Sequence, residues 1–120
     1  NLRGANLQGA DLTPNRDDLW AVLSAAPREV EGLRQALLDG KVNGSSYEGT
    51  CACLVGTLAN VKGCKYTALE FVKPDAGRPA ERFFLSIATG DTPATNPCSK
   101  LAVEWIETWL SNMKAAFATT

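Results

Sequence analysis

Apolar residues recur along the chain at three- and four-residue steps, and the polar stretches between them are rich in Pro, Gly and Asn. That spacing is the signature of amphipathic helices separated by turns. Thr13-Pro14-Asn15 has the composition of a helix start. Pro suits the first turn, Thr13 or Asn15 offers a cap, and Asp17 and Asp18 put negative charge near the positive helix end. Leu19, Trp20, Val22 and Leu23 then make a short apolar face. Pro27 restarts a second helix, with Val30, Leu33 and Leu37 on one side and Glu29, Glu31, Arg34 and Gln35 on the solvated other, and Asp39-Gly40 closes it.

Val42 to Gly49 reads as a turn-rich loop. From about Thr50 to Val61, Cys51, Cys53, Leu54, Val55, Leu58, Ala59 and Val61 predict a helix apolar on most of its circumference, hence the most buried element. Residues 64–73 mix strand formers (Tyr66, Thr67, Phe71, Val72) with helix formers (Ala68, Leu69, Glu70); helix is favoured because no second strand is evident for pairing. A helix from Pro79 carries Phe83, Phe84 and Ile87 inward until Gly90-Asp91-Thr92-Pro93 breaks it. The last helix has the strongest pattern: Asn96 caps, Pro97 occupies the first turn, and Leu101, Ala102, Trp105, Ile106, Trp109, Met113 and Phe117 form one stripe. The predicted fold class is mainly α, a mostly antiparallel bundle of five or six helices.

The first residues follow a different rule. Leu2, Leu7 and Leu12 recur every five residues, with Ala5 and Ala10 two positions before a Leu. Five is neither a helical nor a strand period, and a fixed non-standard period marks a solenoid. The units Ala5-Asn6-Leu7-Gln8-Gly9 and Ala10-Asp11-Leu12-Thr13-Pro14 resemble the A(D/N)Lxx pattern of the pentapeptide-repeat family. That resemblance implies a right-handed β-helix with Leu2, Ala5, Leu7, Ala10 and Leu12 facing inward. Residues 1–14 are then expected to be the C-terminal end of a solenoid truncated upstream, and residues 15–120 a helical domain. Gly90-Asp91-Thr92-Pro93 and Asn96 before a Trp-containing helix are faintly similar to uncharacterised phage or prophage proteins.

Charge and chemistry narrow the function. With 12 Lys plus Arg against 13 Asp plus Glu, the net charge of −1 gives no general attraction for nucleic acid or anionic membrane. The balance is also not acidic enough to imitate DNA, as some pentapeptide-repeat proteins do when they inhibit gyrase. No apolar stretch reaches the ~20 residues that span a bilayer. With 45% hydrophobic residues the chain can build a core without a disulfide framework, so a cytoplasmic, reduced setting is expected.

The chain contains no histidine, which removes Ser-His-Asp and Cys-His nucleophile activation and His-containing metal sites from its own repertoire. Cys51, Cys53, Cys64 and Cys98 supply four thiols that can in principle hold zinc. Positions two apart on a helix, however, point about 200° away from each other, so Cys51 and Cys53 can converge only if the helix begins after Cys53. Small buried free thiols are favoured; a Cys64–Cys98 or Cys51–Cys64 disulfide stays open. Asp17 with Asp18, Glu29 with Glu31 and Glu104 with Glu107 each have a helical explanation that needs no substrate. Neither enzyme activity nor a cofactor is expected.

The expected function is structural and protein-binding: a domain that caps the solenoid and presents a helical surface to a protein partner or to a second copy. Trp20, Tyr47, Asp91 and Thr92 are the candidate contact residues, because two polar loops at one end of a bundle make a rim around Tyr47. The alternatives are a topoisomerase-directed or immunity protein acting through upstream repeats, and a Cys-based metal or redox domain.

Overall fold

The computed structural model describes residues 11–118, with side chains through residue 116. Five helices form among them: α1 (Thr13–Ala25), α2 (Val30–Leu38), α3 (Leu54–Lys62), α4 (Pro79–Phe84) and α5 (Pro97–Ala118), with 3₁₀ turns at Pro27–Glu29 and Tyr66–Ala68. α1 lies against α4 and α5, α2 against α3 and α5, and α3 against α4. These contacts close a ring around one core.

Each helix sends its apolar stripe into that core. Leu19 and Leu23 from α1, Leu33 and Leu37 from α2, Leu54 and Leu58 from α3, Phe83 and Phe84 from α4 and Ile106 from α5 are all at most 1% exposed. Burying each such side chain contributes roughly 1.5–3 kcal/mol relative to leaving it in water. The burial expected for α3 is present: Leu54 through Ala59 are all buried, Thr57 among them. Tightness there depends on Gly32 and Gly56: a Cβ on Gly32 would overlap Val61, and one on Gly56 would overlap the Tyr47 carbonyl.

The α1–α5 seam is built from indoles. Trp20 Nε1 donates to the Trp105 carbonyl at 2.9 Å, and Trp109 Nε1 donates to Ser24 Oγ at 3.1 Å. Ser24 Oγ in turn donates to the Trp20 carbonyl at 2.9 Å, so the indole N–H groups of Trp20 and Trp109 each find a partner on the facing helix. Asn96 begins α5 as its sequence implies, its Oδ1 accepting the Cys98 N–H at 2.7 Å.

Several expectations are corrected. Leu2, Ala5, Leu7 and Ala10 lie outside the described residues. The one solenoid-core candidate within them, Leu12, occupies the position just before α1 without a side-chain cap, and it packs half-buried against the helical core. Thr13 and Pro14 are already the first turn of α1, and no strand forms among the described residues, where the sole bridge pairs Val42 with Ala52. Pro14 fixes a helical φ and Leu12 finds a helical core beside it, so the expected solenoid rung is not what this end of the repeat forms.

Neither Thr13 nor Asn15 caps α1. The Thr13 N–H donates to Asp11 Oδ1 at 3.1 Å, and Asn15 Nδ2 reaches the Pro79 carbonyl at 2.8 Å. Residues 64–73 form only the 3₁₀ turn and then run irregularly, with Leu69 and Val72 each 4% exposed. Anchoring two side chains in the core satisfies that segment without a helix, and its mixed propensities favour none. α3 begins at Leu54, not Thr50, because residues 52 and 53 bond sideways: Asn43 N–H to the Ala52 carbonyl and Cys53 N–H to the Ser46 carbonyl. Glu29, expected on a solvated face, is 9% exposed.

Candidate functional site

The loops 39–53 and 87–96 lie side by side. Gly44 N–H donates to the Ile87 carbonyl and Gly90 N–H to the Gly40 carbonyl, each at 2.8 Å. Gly40 (φ 71°) and Gly90 (φ 91°) take the left-handed conformation that side chains resist. A Cβ on Gly44 would overlap the Phe84 carbonyl, so the first loop rests directly on the end of α4. Within that loop Asn43 Oδ1 accepts both the N–H and the Oγ–H of Ser45, at 3.1 and 2.8 Å, an Asx turn that sets the following residues.

Tyr47 is thereby turned inward. Its ring stacks on Tyr66, centroids 5.0 Å apart and 20° between planes, and its hydroxyl donates to Glu81 Oε1 at 2.7 Å. Glu81, in the first turn of α4, is 5% exposed, and its Oε2 accepts the Asp75 N–H at 2.8 Å. One buried carboxylate therefore ties the Tyr47 loop, the 73–78 loop and α4 together. Burial pushes the Tyr47 phenol far above its ordinary pKa, and the Glu81 hydrogen bond adds to the shift. Burial likewise raises the Cys53 thiol, with the Glu81 charge contributing.

A second polar knot secures the start of α4. Asp18 accepts Arg78 Nε and Nη2 and the Ala80 N–H, all at 2.9 Å. The Arg78 hydrogen bond holds the Asp18 carboxyl below its usual range. α4 has no cap of its own, and α1 supplies one from 62 residues away.

The sequence-predicted site residues scatter. Trp20 is half-buried in the α1–α5 seam, with the Arg16 guanidinium 4.6 Å over its ring. Asp91 Oδ2 accepts the Ala88 N–H and Asn96 Nδ2, each at 2.8 Å, and Thr92 N–H donates to Thr95 Oγ1 at 3.0 Å. Both thus serve the turn before α5. Cys53 and Cys98 are buried, Cys51 and Cys64 half-buried, and Cys51, Cys53 and Cys64 are free thiols, so neither candidate disulfide, both of which need Cys64, is formed. Among the described residues, no three Cys, Asp or Glu side chains gather as metal ligands, and no helix is long and apolar enough to cross a membrane.

The surface feature that sequence reasoning missed is Leu85. It follows Phe83 and Phe84, both fully buried, yet is 55% exposed. It also forms the wall between two recesses. One, about 690 Å³, lies between the start of α1 and α4 and is lined by Pro14, Asn15, Pro79, Arg82 and Leu85. The other, about 210 Å³, is lined by Gly44, Ser45, Tyr47, Ala76, Glu81 and Leu85. The triplet Phe83-Phe84-Leu85 did carry a signal, since three consecutive apolar residues on a helix of 3.6-residue period cannot all face one core.

No protein-family model matches the chain, and neither a curated protein nor a solved structure gives a match. The resemblance of residues 1–14 to pentapeptide repeats is accordingly not upheld.

Proposed function

We propose that the domain is a non-enzymatic protein-binding module whose contact face is the outer side of α4, between the start of α1 and the Tyr47 loop. The observation that carries this reading is Leu85, a large apolar side chain more than half exposed with a recess on either side. An apolar anchor flanked by concave surface is what a partner's side chains fill, and the first recess has the size of sites that hold several side chains. Arg82 at its edge adds a charged contact that orients a partner without being buried by it. The partner on this reading is a polypeptide segment that sets an apolar residue against Leu85. The free thiols at Cys51, Cys53 and Cys64 fit a reducing, cytoplasmic setting for that encounter.

The test is a selection from a displayed random-peptide library on the immobilised chain, with the Leu85→Glu variant run in parallel. Peptides that enrich on the native chain and bind the variant at least tenfold more weakly support the module. Enrichment that is equal on both, or absent, removes it. Sedimentation equilibrium of the same two proteins reports a second copy as the occupant if the native chain dimerises and the variant does not.

A further inference from the structure

Glu81 is a carboxylate 5% exposed that lines the 210 Å³ cavity, and no ion pair to it forms among the described residues. Arg78, whose guanidinium feels the Glu81 charge, is already committed to Asp18. A buried negative charge costs stability unless a cation or several hydrogen bonds compensate it. Glu81 has two such bonds, from the Tyr47 hydroxyl and the Asp75 N–H, one on each oxygen. A carboxylate offers about four acceptor positions, so among the described residues half of its capacity is unused.

We infer that this cavity is a binding site for a primary ammonium on an aliphatic stem, presented as a lysine side chain of the protein partner. The source of the ligand rests on the protein-binding reading; its chemistry rests on the cavity. Ala76 and Leu85 line the cavity with the apolar surface that methylenes prefer, Tyr47 contributes an aromatic ring of the kind that attracts cations, and Glu81 supplies the countercharge. The five side-chain heavy atoms of lysine need about 150 Å³ if each takes the ~30 Å³ share of a water molecule, which the cavity's 210 Å³ accommodates. Arginine fits less well. Its planar fork prefers a carboxylate with both oxygens open side by side, whereas each Glu81 oxygen already holds a donor.

The experiment is a titration of the isotope-labelled chain, followed by amide NMR, with Nα-acetyl-lysine methylamide, its uncharged norleucine counterpart and n-butylamine. The lysine probe is expected to shift the amides of Tyr47, Ala76 and Glu81 saturably, and to bind about tenfold or more tightly than norleucine. Glu81→Gln and Ala76→Phe are each expected to weaken it at least as much. Ala76→Phe fills the mouth while leaving the Glu81 hydrogen bonds in place, so it decides the matter if Glu81→Gln fails to fold. Equal responses to lysine and norleucine, or a response that survives Ala76→Phe, overturn the inference. n-Butylamine binding more tightly than the lysine probe overturns the protein source. Library peptides that need Leu85 while the lysine probe does nothing would remove this site and leave the protein-binding face intact.

Discussion

Replacing Asp18 by Asn tests whether the start of α4 is held by a carboxylate from α1. The substitution keeps the shape but removes the charge that receives two Arg78 bonds and the Ala80 N–H, all 2.9 Å long. The pair is 18% and 25% exposed, so it lies between the surface and buried cases. Exposed pairs contribute about 0–1 kcal/mol, and breaking a buried one costs about 3–5 kcal/mol. An Asn amide oxygen can still accept the Ala80 N–H, but its NH2 then faces the donor Nη2 of Arg78, so a loss of roughly 2–3 kcal/mol follows. For a domain of this length that lowers the melting temperature by about 8–12 °C.

The assay is thermal and urea denaturation of Asp18→Asn beside Asp17→Asn, whose carboxylate pairs among the described residues with exposed Arg16. The folded-state pKa of Asp18 is lowered below 3.8, so its stabilisation is fully present above that pH and is lost as pH falls through the folded value. The difference between native chain and variant should therefore shrink once the pH drops below about 4. A loss no larger than that of Asp17→Asn, or one that does not change between neutral and strongly acidic pH, would refute the argument that the Asp18 carboxylate holds α4.

Three further outcomes follow from the same contacts. Gly44→Ala places a Cβ against the Phe84 backbone and should cost about 2–4 kcal/mol, read by urea denaturation; a neutral result would mean that the loop does not rest on α4. Asn96 is 3% exposed, caps Cys98 N–H and donates to the Ser86 carbonyl and Asp91, so Asn96→Ala should cost about 2–3 kcal/mol in the same assay. Leu85→Glu, at a position 55% exposed, should change stability by less than about 0.5 kcal/mol while abolishing peptide binding.

Much of the helical architecture was legible in local spacing. Asn96-Pro97 and the Leu101 to Met113 stripe specify α5 because cap, first turn and buried face all lie within one continuous segment. The boundaries of α3 were not legible, since Thr50 to Cys53 are apolar enough to join it and are withheld only by hydrogen bonds to the loop at Asn43 and Ser46. The polar knots were hidden for the same reason. Asp18 reads as first-turn chemistry of its own helix, and nothing nearby announces Arg78, 60 residues on. Tyr47 was recognisable as a prominent loop residue, but its inward turn depends on Glu81, 34 residues away. The five-residue period at the start misled because it continues to Leu12, whose side chain the helical core accepts.

The claim that the α4 face binds a polypeptide is tested most directly by hydrogen exchange of the chain, free and saturated with a peptide selected on it. Protection confined to residues 13–17, 43–49 and 74–88, and lost in Leu85→Glu, is the predicted result. Protection centred instead on the exposed sides of α2 or α5, with those three segments unchanged, would contradict it.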